Sequence, residues 1–450
     1  MKEIITICLG QCGIRIGNQV WKLFCEEHKI ELSGIKRQSS NTEGQENLLS
    51  FFKESISEKI TPISIFIDLD TQQIDEIKNG QYRTLYKPDC LISSKEDTGG
   101  LFARSYYTAG RSTLDISINQ IRKVAESCSY LHGFIIYSTS SGGASSGLGN
   151  LILQNLRVEF GQKIPIIFFQ QIPCNLNQSS VFSFYNSTLN LSSLLEDSSL
   201  NILFQNEALY KIYENQFDFE YPCFQDINCL VSQVASATTS SIRFKGDLNV
   251  DLNQLIMNLI PYRKINLVIP SYSPSTDKNN QQNQQISVNS MTNQLFQNDF
   301  SFINCNINRS IYMACSYMLR GDIVPREALE SIQNLKNRKH IKFVDWCSNS
   351  FLLGVNSFKP IPIVIEEKSF SSSIDGCILA NSCGVQNIIE FIGSKFDLMY
   401  SKRAFVHWHY GEGQSEGDLQ EARETLASIE KDYEEIQKDS YTIQLEEDYE

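Results

Sequence analysis

The chain has 450 residues, with 52 acidic and 39 basic side chains and a net charge of −13, and at roughly 150 residues per domain that length suggests about three structural units. With 41% apolar residues it can bury a sizeable core, and 20% charged residues is too few for a disordered polyanion. The acidic balance, without a basic cluster, excludes a binder that tracks nucleic-acid phosphates.

No apolar stretch approaches the roughly 18 residues that span a bilayer. The opening run MKEIITICLG is short, lacks a small-residue cleavage site and leads straight into amphipathic sequence. No membrane partner and a cytoplasmic location are the expectation. Thirteen cysteines, an odd number with no Cys-x-x-Cys pair, predict buried reduced thiols rather than a disulfide framework or a zinc site.

In chain order, residues 2–9 read as a buried strand, after which Gly10-Gln11-Cys12-Gly13 opens a helix carrying Ile14, Ile16, Val20, Trp21 and Phe24. Polar residues 36–46 read as an exposed loop. Strands follow at 63–69, 133–139 and 164–170, with helices at 113–128 and 148–160 between them. Such alternation predicts a parallel sheet covered by helices, with ligands bound where the strands end. Further on come a helix at 251–260, a strand at 265–269, an Asn/Gln-rich loop at 277–285, a helix at 326–336 and a strand at 341–346. The end reads as helices at 395–409 and 418–437 and a short acidic tail, Glu446-Glu447-Asp448-Tyr449-Glu450, most simply a solvated terminus.

The most informative local signal is Ser141-Gly142-Gly143-Ala144-Ser145-Ser146-Gly147, between a predicted strand and a predicted helix. Small residues let successive backbone N–H groups approach a polyphosphate, and a helix N-terminus adds favourable electrostatics. No Gly-Lys-Ser/Thr follows, so this is not a P-loop, and Gly10-x-x-Gly13-x-x-x-Gly17 has the wrong spacing for a dinucleotide fingerprint.

MKEIITICLGQCGIRIGNQVWKLFCEEH resembles the amino terminus of tubulins, and the Gly/Ser loop stands where that family has Gly-Gly-Gly-Thr-Gly-Ser-Gly. Lys95-Glu96-Asp97, Arg243-Phe244, Leu248-Asn249-Val250-Asp251, Arg320-Gly321-Asp322-Ile323-Val324-Pro325, Phe343-Val344-Asp345-Trp346-Cys347 and KFDLMYSKRAFVHW at 395–408 resemble the alpha branch, in order. So do Glu421-Ala422-Arg423-Glu424 and Glu430-Lys431-Asp432-Tyr433-Glu434-Glu435, which extends the similarity over nearly the whole chain. The resemblance implies an α/β architecture: a Rossmann-like GTPase domain with a parallel sheet (1–205), a mixed α/β intermediate domain (206–381) and C-terminal helices with an acidic tail (382–450).

The same resemblance implies GTP and Mg2+ as cofactors and assigns positions residue by residue. Gln11 falls where the family contacts phosphate and magnesium, and Asp70 where alpha subunits place a glutamate near the metal, keeping a hard oxygen ligand on a shorter arm. Asn206 and Asn228 match the pair that reads guanine, and Phe224 replaces the tyrosine stacked on the base while keeping its ring face. Thr139 and Ser179 keep hydroxyls, and Gly142 and Gly143 keep the cradle. Ala144 replaces its threonine, Ser141 and Ser145 replace glycines, Gly100 replaces an asparagine at the γ-phosphate, and Ser183 replaces a glutamate near the ribose. An altered but occupied nucleotide site is the expectation.

Gln254 stands where alpha-tubulins present a catalytic glutamate to the GTP of the next beta subunit. Loss of the carboxylate predicts slow hydrolysis across that interface, with Asp251 able to compensate in part. The implied partners are a beta-tubulin, the microtubule lattice, and motors and microtubule-associated proteins, which places the chain in the cytoplasmic cytoskeleton. Lys402, Arg403, Phe405, His407 and Trp408 fall on the face that alpha turns to beta within the heterodimer. The usual acetylated lysine falls near Ser40, and the usual terminal tyrosine is penultimate, at Tyr449. Two alternatives stay open: a paralogue that caps or regulates polymers without entering them, and an active GTPase.

Overall fold

The computed structural model describes residues 2–31, 33–36, 47–54, 59–175, 180–217, 219, 221–274, 287–305, 310–337, 341–347, 351–365, 368–370 and 374–447. The amino-terminal half runs β1 (Glu3–Leu9), α1 (Gly10–Glu27), β2 (Phe52–Glu54), β3 (Ile60–Pro62), β4 (Ser64–Asp68), α2 (Thr71–Asn79), β5 (Leu91–Ser93), α3 (Ala109–Glu126), β6 (Leu131–Thr139), α4 (Gly143–Phe160), β7 (Ile166–Gln171), α5 (Ser183–Asp197) and β8 (Leu200–Phe204). Next come α6 (Asn206–Phe217), α7 (Phe224–Arg243), α8 (Leu252–Leu259), β9 (Leu267–Pro274), α9 (Val288–Leu295), β10 (Ile311–Gly321), α10 (Pro325–Lys336) and β11 (Lys342–Phe343). The chain closes with β12 (Phe351–Asn356), β13 (Ile363–Ile365), β14 (Lys368–Phe370), β15 (Ile374–Ser382), α11 (Gln386–Ser401), α12 (Val406–Gly411) and α13 (Glu416–Glu447).

The main sheet has the order β11-β10-β15-β9-β8-β7-β6-β1-β4-β5, with β12 also on β10. From β5 to β9 every pairing is parallel; β9–β15 and β15–β10 are antiparallel. Parallel strands are buried on both faces and so read as unbroken apolar runs. In β1, Ile5, Ile7 and Leu9 enter the core with Ile136 and Ile152, while Ile4 and Cys8 face the opposite layer with Trp21, Phe24 and Val234. The chain builds from β1 to β4 and β5 on one side and from β6 to β9 on the other. Strand order therefore reverses between β1 and β6, and ligands of open α/β sheets bind at the carboxyl ends of strands at such a point.

Several sequence expectations need correcting. The helix expected at 395–409 is two helices: Arg403 (φ 49°) and Phe405 (φ 62°) are left-handed and turn the chain between α11 and α12. The strand expected at 341–346 pairs only over Lys342–Phe343. Helix α13 extends through Glu447, so the first two tail residues are helical. Eight of the thirteen free cysteines are buried, but Cys223 is exposed. The loop at 277–285, all but Lys36 of the 36–46 loop, Ser40 and Tyr449 lie outside the described residues.

A buried ion cluster ties the parallel part of the fold to the antiparallel part. Glu27 at the end of α1 pairs with Arg243 at the end of α7 and, at 3.1 Å, with Arg320 of β10. Arg320 also clasps Asp375 of β15 (Nε to Oδ1, 3.0 Å), and all four side chains are almost wholly buried. Two cations balance two anions, which is how such a cluster avoids an uncompensated buried charge.

Candidate functional site

Two turns meet where the strand order reverses. After β1, Gly10 adopts φ +67° and the chain enters α1 with Gln11 exposed in its first turn. After β6, Thr139 ends the strand and α4 starts at Gly143, so Ser141 and Gly142 form the turn and the rest of the Gly/Ser segment is the helix N-terminus. The first N–H groups of a helix have no intrahelical acceptor, which leaves those at Gly143, Ala144 and Ser145 to face an anion. Glycine is required at 143, because a Cβ there would lie 2.6 Å from the Gly100 carbonyl carbon.

The hydroxyls of the cradle are largely turned inward. Ser145 Oγ donates to the Thr139 carbonyl at 2.8 Å, Ser146 Oγ to the Gly142 carbonyl at 2.5 Å, and Thr139 Oγ1 to Gln171 Oε1. Serine at 145 thus rebuilds the turn with its own hydroxyl instead of offering it to a ligand. Asn186 of α5 locks the far wall: its Nδ2 donates to the Gly100 carbonyl (2.8 Å) and the Ser141 carbonyl (2.9 Å), and its Oδ1 accepts from Phe102 N (3.1 Å). Sequence reasoning missed Asn186. Its only signal was an asparagine inside a helix otherwise buried against the sheet.

At the end of β4 stand Asp68 and Asp70. Asp70 caps α2, its Oδ1 accepting from Gln72 N at 3.1 Å, which leaves its other oxygen available. Asp68 is 3% exposed; its Oδ1 accepts from Leu69 N (2.8 Å) and Asp70 N (3.4 Å), while its Oδ2 has no partner. Burial pushes its carboxyl up to about 7, and the charges of Asp70 and Asp97 add to the rise. This second carboxylate was in plain sight in Asp68-Leu69-Asp70 but was not singled out. An orphaned buried oxygen beside two acidic neighbours fits a cation in front of the cradle. Among the described residues no cluster of three or more His, Cys, Asp and Glu could hold a metal by itself. Magnesium bound through one or two carboxylates plus substrate phosphates needs no such cluster.

The other candidate side chains are placed by α6 and α7. Asn206, half-buried, starts α6 directly after β8, on the same strand-end edge as Gln11, Thr139 and Gly142. Phe224 starts α7 with its ring 55% exposed, and Asn228 lies one turn on, on the same helix face. Tyr213 of α6 donates its hydroxyl to the Asp226 carbonyl and fixes the two helices together. Asp226 Oδ2 also accepts the Cys223 N–H at 2.9 Å, in a capping box that sets the start of α7. Ser183 is buried and donates to the Ser180 carbonyl at 2.6 Å. Ser179 lies outside the described residues.

Asp251 and Gln254 are not part of this site. They form the capping box of α8, with Gln254 Oε1 accepting from Asp251 N at 3.2 Å, and Asp251 is ion-paired with Lys2 at the beginning of β1. That places them at the opposite edge of the sheet, roughly 20 Å from Gln11 at about 3.3 Å per strand residue over the seven residues of β1. Both edges carry exposed apolar side chains. Met257, Tyr262 and Trp346 belong to the Gln254 end, the last two with ring centroids 5.6 Å apart. Phe405, Trp408 and Tyr410 belong to the cradle end, where Phe405 meets Phe182 at 6.1 Å.

Two family models match the chain. One, described as the GTPase domain of the Tubulin/FtsZ family, covers residues 3–214; the other, described as the tubulin C-terminal domain, covers residues 264–393. Among the described residues no helix is long and apolar enough to cross a membrane.

Proposed function

The chain belongs to the tubulin family, and from that premise we propose that it is an alpha-type microtubule subunit that binds GTP, pairs with a beta-tubulin and weakens hydrolysis of its neighbour's nucleotide. The family's GTPase domain carries the nucleotide-binding part of this reading. The observation that carries the rest is the separation of two half-sites on one sheet: a phosphate cradle at the strand ends, and the Asp251–Gln254 capping box at the strand beginnings. One copy can offer the second half-site only to the cradle of another molecule. Head-to-tail contacts of that kind generate filaments, and the exposed aromatic side chains at both edges suit them.

Within the chain's own cradle, the free N–H groups at the start of α4 hold the phosphates, Gln11 donates from its amide, and Phe224 supplies a ring face for the base. Asp68 and Asp70 are the residues that would hold magnesium, whose charge would offset that of the phosphates and of Asp68 itself. Asn206 and Asn228 pair with the guanine edge, since one amide can donate and accept at once.

At the other half-site, Gln254 has already committed its carbonyl oxygen to Asp251 N. The free end of its side chain is an NH2 group, which donates and cannot take a proton from water. A glutamate in the same capping box would keep a second oxygen free. Asp251 supplies little of what is missing, because its carboxylate is held in the capping box and by Lys2. General-base assistance is typically worth about 10²–10⁴-fold, and hydrolysis across this contact is reduced by a factor within that range.

The reading is tested by co-assembly with a beta-tubulin and comparison of phosphate release with the Gln254→Glu variant. A subunit sediments in proportion to polymer, and Gln254→Glu speeds phosphate release about a hundredfold or more. Equal rates refute the role of Gln254. Substoichiometric action on polymer ends favours a capping paralogue, and GTP turnover by the soluble chain alone favours a free GTPase.

A further inference from the structure

The segment that leaves the Gly99–Gly100 wall of the cradle does not enter α3 as a regular helix. Residues Arg104–Thr108 form a π-helical turn: Ala109 N–H reaches back five residues to the Arg104 carbonyl, and Thr108 Oγ1 donates to that same carbonyl at 2.8 Å. Gly110 makes the turn possible, since a Cβ at that position would lie 1.8 Å from the Ser105 carbonyl oxygen. Single π-turns inside α-helices are rare and concentrate at functional sites.

This turn touches both the cradle and the carboxy-terminal helices. On the inner side, Leu148 N donates to Ser105 Oγ at 2.9 Å, and the Gly147 backbone packs against Ser105 and the Phe102 carbonyl. Asn186 continues that side to Gly100 and Ser141. On the outer side, Tyr107 donates its hydroxyl to Asp418 Oδ2 at 2.9 Å, and Thr108 Oγ1 lies 3.0 Å from Glu412 Oε2. Asp418 Oδ2 also accepts from Ser415 N at 3.0 Å, so Tyr107 is bonded to the carboxylate that caps α13.

We propose that the Arg104–Thr108 π-turn is a conformational relay that couples the phosphate end of the cradle to the turn between α12 and α13, with the Tyr107–Asp418 hydrogen bond as its outer contact. The proposal rests on the reading that the cradle holds a nucleotide. A π-turn carries one residue more than an α-turn over the same span, so exchanging its five-residue hydrogen bond for the four-residue one is a discrete step. A discrete two-state element is what a coupling between distant sites requires. The cradle biases that step from Gly147 and Ser105, and the α13 cap biases it from Tyr107. Coupling of this kind is reciprocal, so loosening the outer contact weakens retention at the cradle.

The test uses the purified full chain in its native assembly, with Tyr107→Phe, Asp418→Asn and the double variant. Guanine nucleotide content is measured after denaturation, and the rate of nucleotide loss is measured after transfer to nucleotide-free buffer. Each single variant is expected to lose nucleotide about three- to tenfold faster than the unmodified protein, and the double variant less than the product of the singles, because both act on the same bond. Amide exchange over residues 412–418 is expected to be slower with nucleotide bound than after its loss, and that difference disappears in Tyr107→Phe. If Tyr107→Phe fails to fold, Asp418→Asn makes the same comparison from the other side. Nucleotide present at normal content but lost at unchanged rates overturns the relay alone, as does a double variant whose effect is the product of the singles. Absence of guanine nucleotide from the unmodified protein overturns the relay together with the reading beneath it.

Discussion

Replacing Asp68 by asparagine is expected to stabilise the cation-free protein at neutral and alkaline pH and to do far less in acid. Burial raises this carboxyl from 3.8 to about 7, so the folded chain holds the proton more tightly than the unfolded chain. Stability therefore falls as pH rises from about 4 to about 7 and is flat beyond. At about 1.36 kcal/mol per unit, a rise of about 3 units costs ~4 kcal/mol above pH 7 and ~2 kcal/mol at pH 5. Asparagine removes the charge and keeps an acceptor for Leu69 N, but it places an unpaired NH2 where Oδ2 now stands, at a cost of about 1–3 kcal/mol. The net gain is roughly 1–3 kcal/mol at pH 8 and close to zero at pH 5. Urea unfolding of both proteins in chelator at the two pH values measures it. Adding magnesium with nucleotide should then narrow the gap by stabilising the unmodified protein more. A stability difference that is the same at pH 5 and pH 8 refutes the argument that Asp68 is a buried, unpaired charge.

The buried ion cluster makes a prediction of opposite sign. Arg320→Met leaves Glu27 and Asp375 facing an apolar side chain, and breaking such a cluster from one side costs about 3–5 kcal/mol; a urea midpoint within error of the unmodified protein would contradict it. At the cradle, Gly143→Ala drives a methyl group to 2.6 Å from the Gly100 carbonyl carbon, and guanine nucleotide content should fall severalfold while far-ultraviolet circular dichroism changes little.

Much of the fold was legible because parallel strands and amphipathic helices write their burial into local sequence. The runs in β1, β6 and β7 and the Gly/Ser loop before α4 needed no tertiary information. The break between α11 and α12 was not legible, because Arg403 and Phe405 are ordinary residues in a left-handed turn closed by the Arg403 N and Ala404 N bonds to the Tyr400 and Met399 carbonyls, rather than glycines that announce one. Of the candidate residues, Gln11, Thr139, Gly142, Gly143 and Asn206 lie on one strand-end edge. Asp68 and Asn186 were missed, since a carboxylate left without a partner and an amide bridging three backbone groups are properties of the assembled structure.

By itself the sequence determined the family, the α/β class and the presence of a glutamine at position 254, all of which depend on residue identity and order. Only the tertiary structure decided which groups of that side chain are left free, and where they lie. A capping bond occupies the Gln254 carbonyl oxygen, Lys2 holds Asp251, and both lie at the far edge of the sheet from Gln11. Hydrogen-bond capacity is shared out among neighbours that are distant in sequence, so the chemistry left over at any one side chain is settled only when the chain has folded.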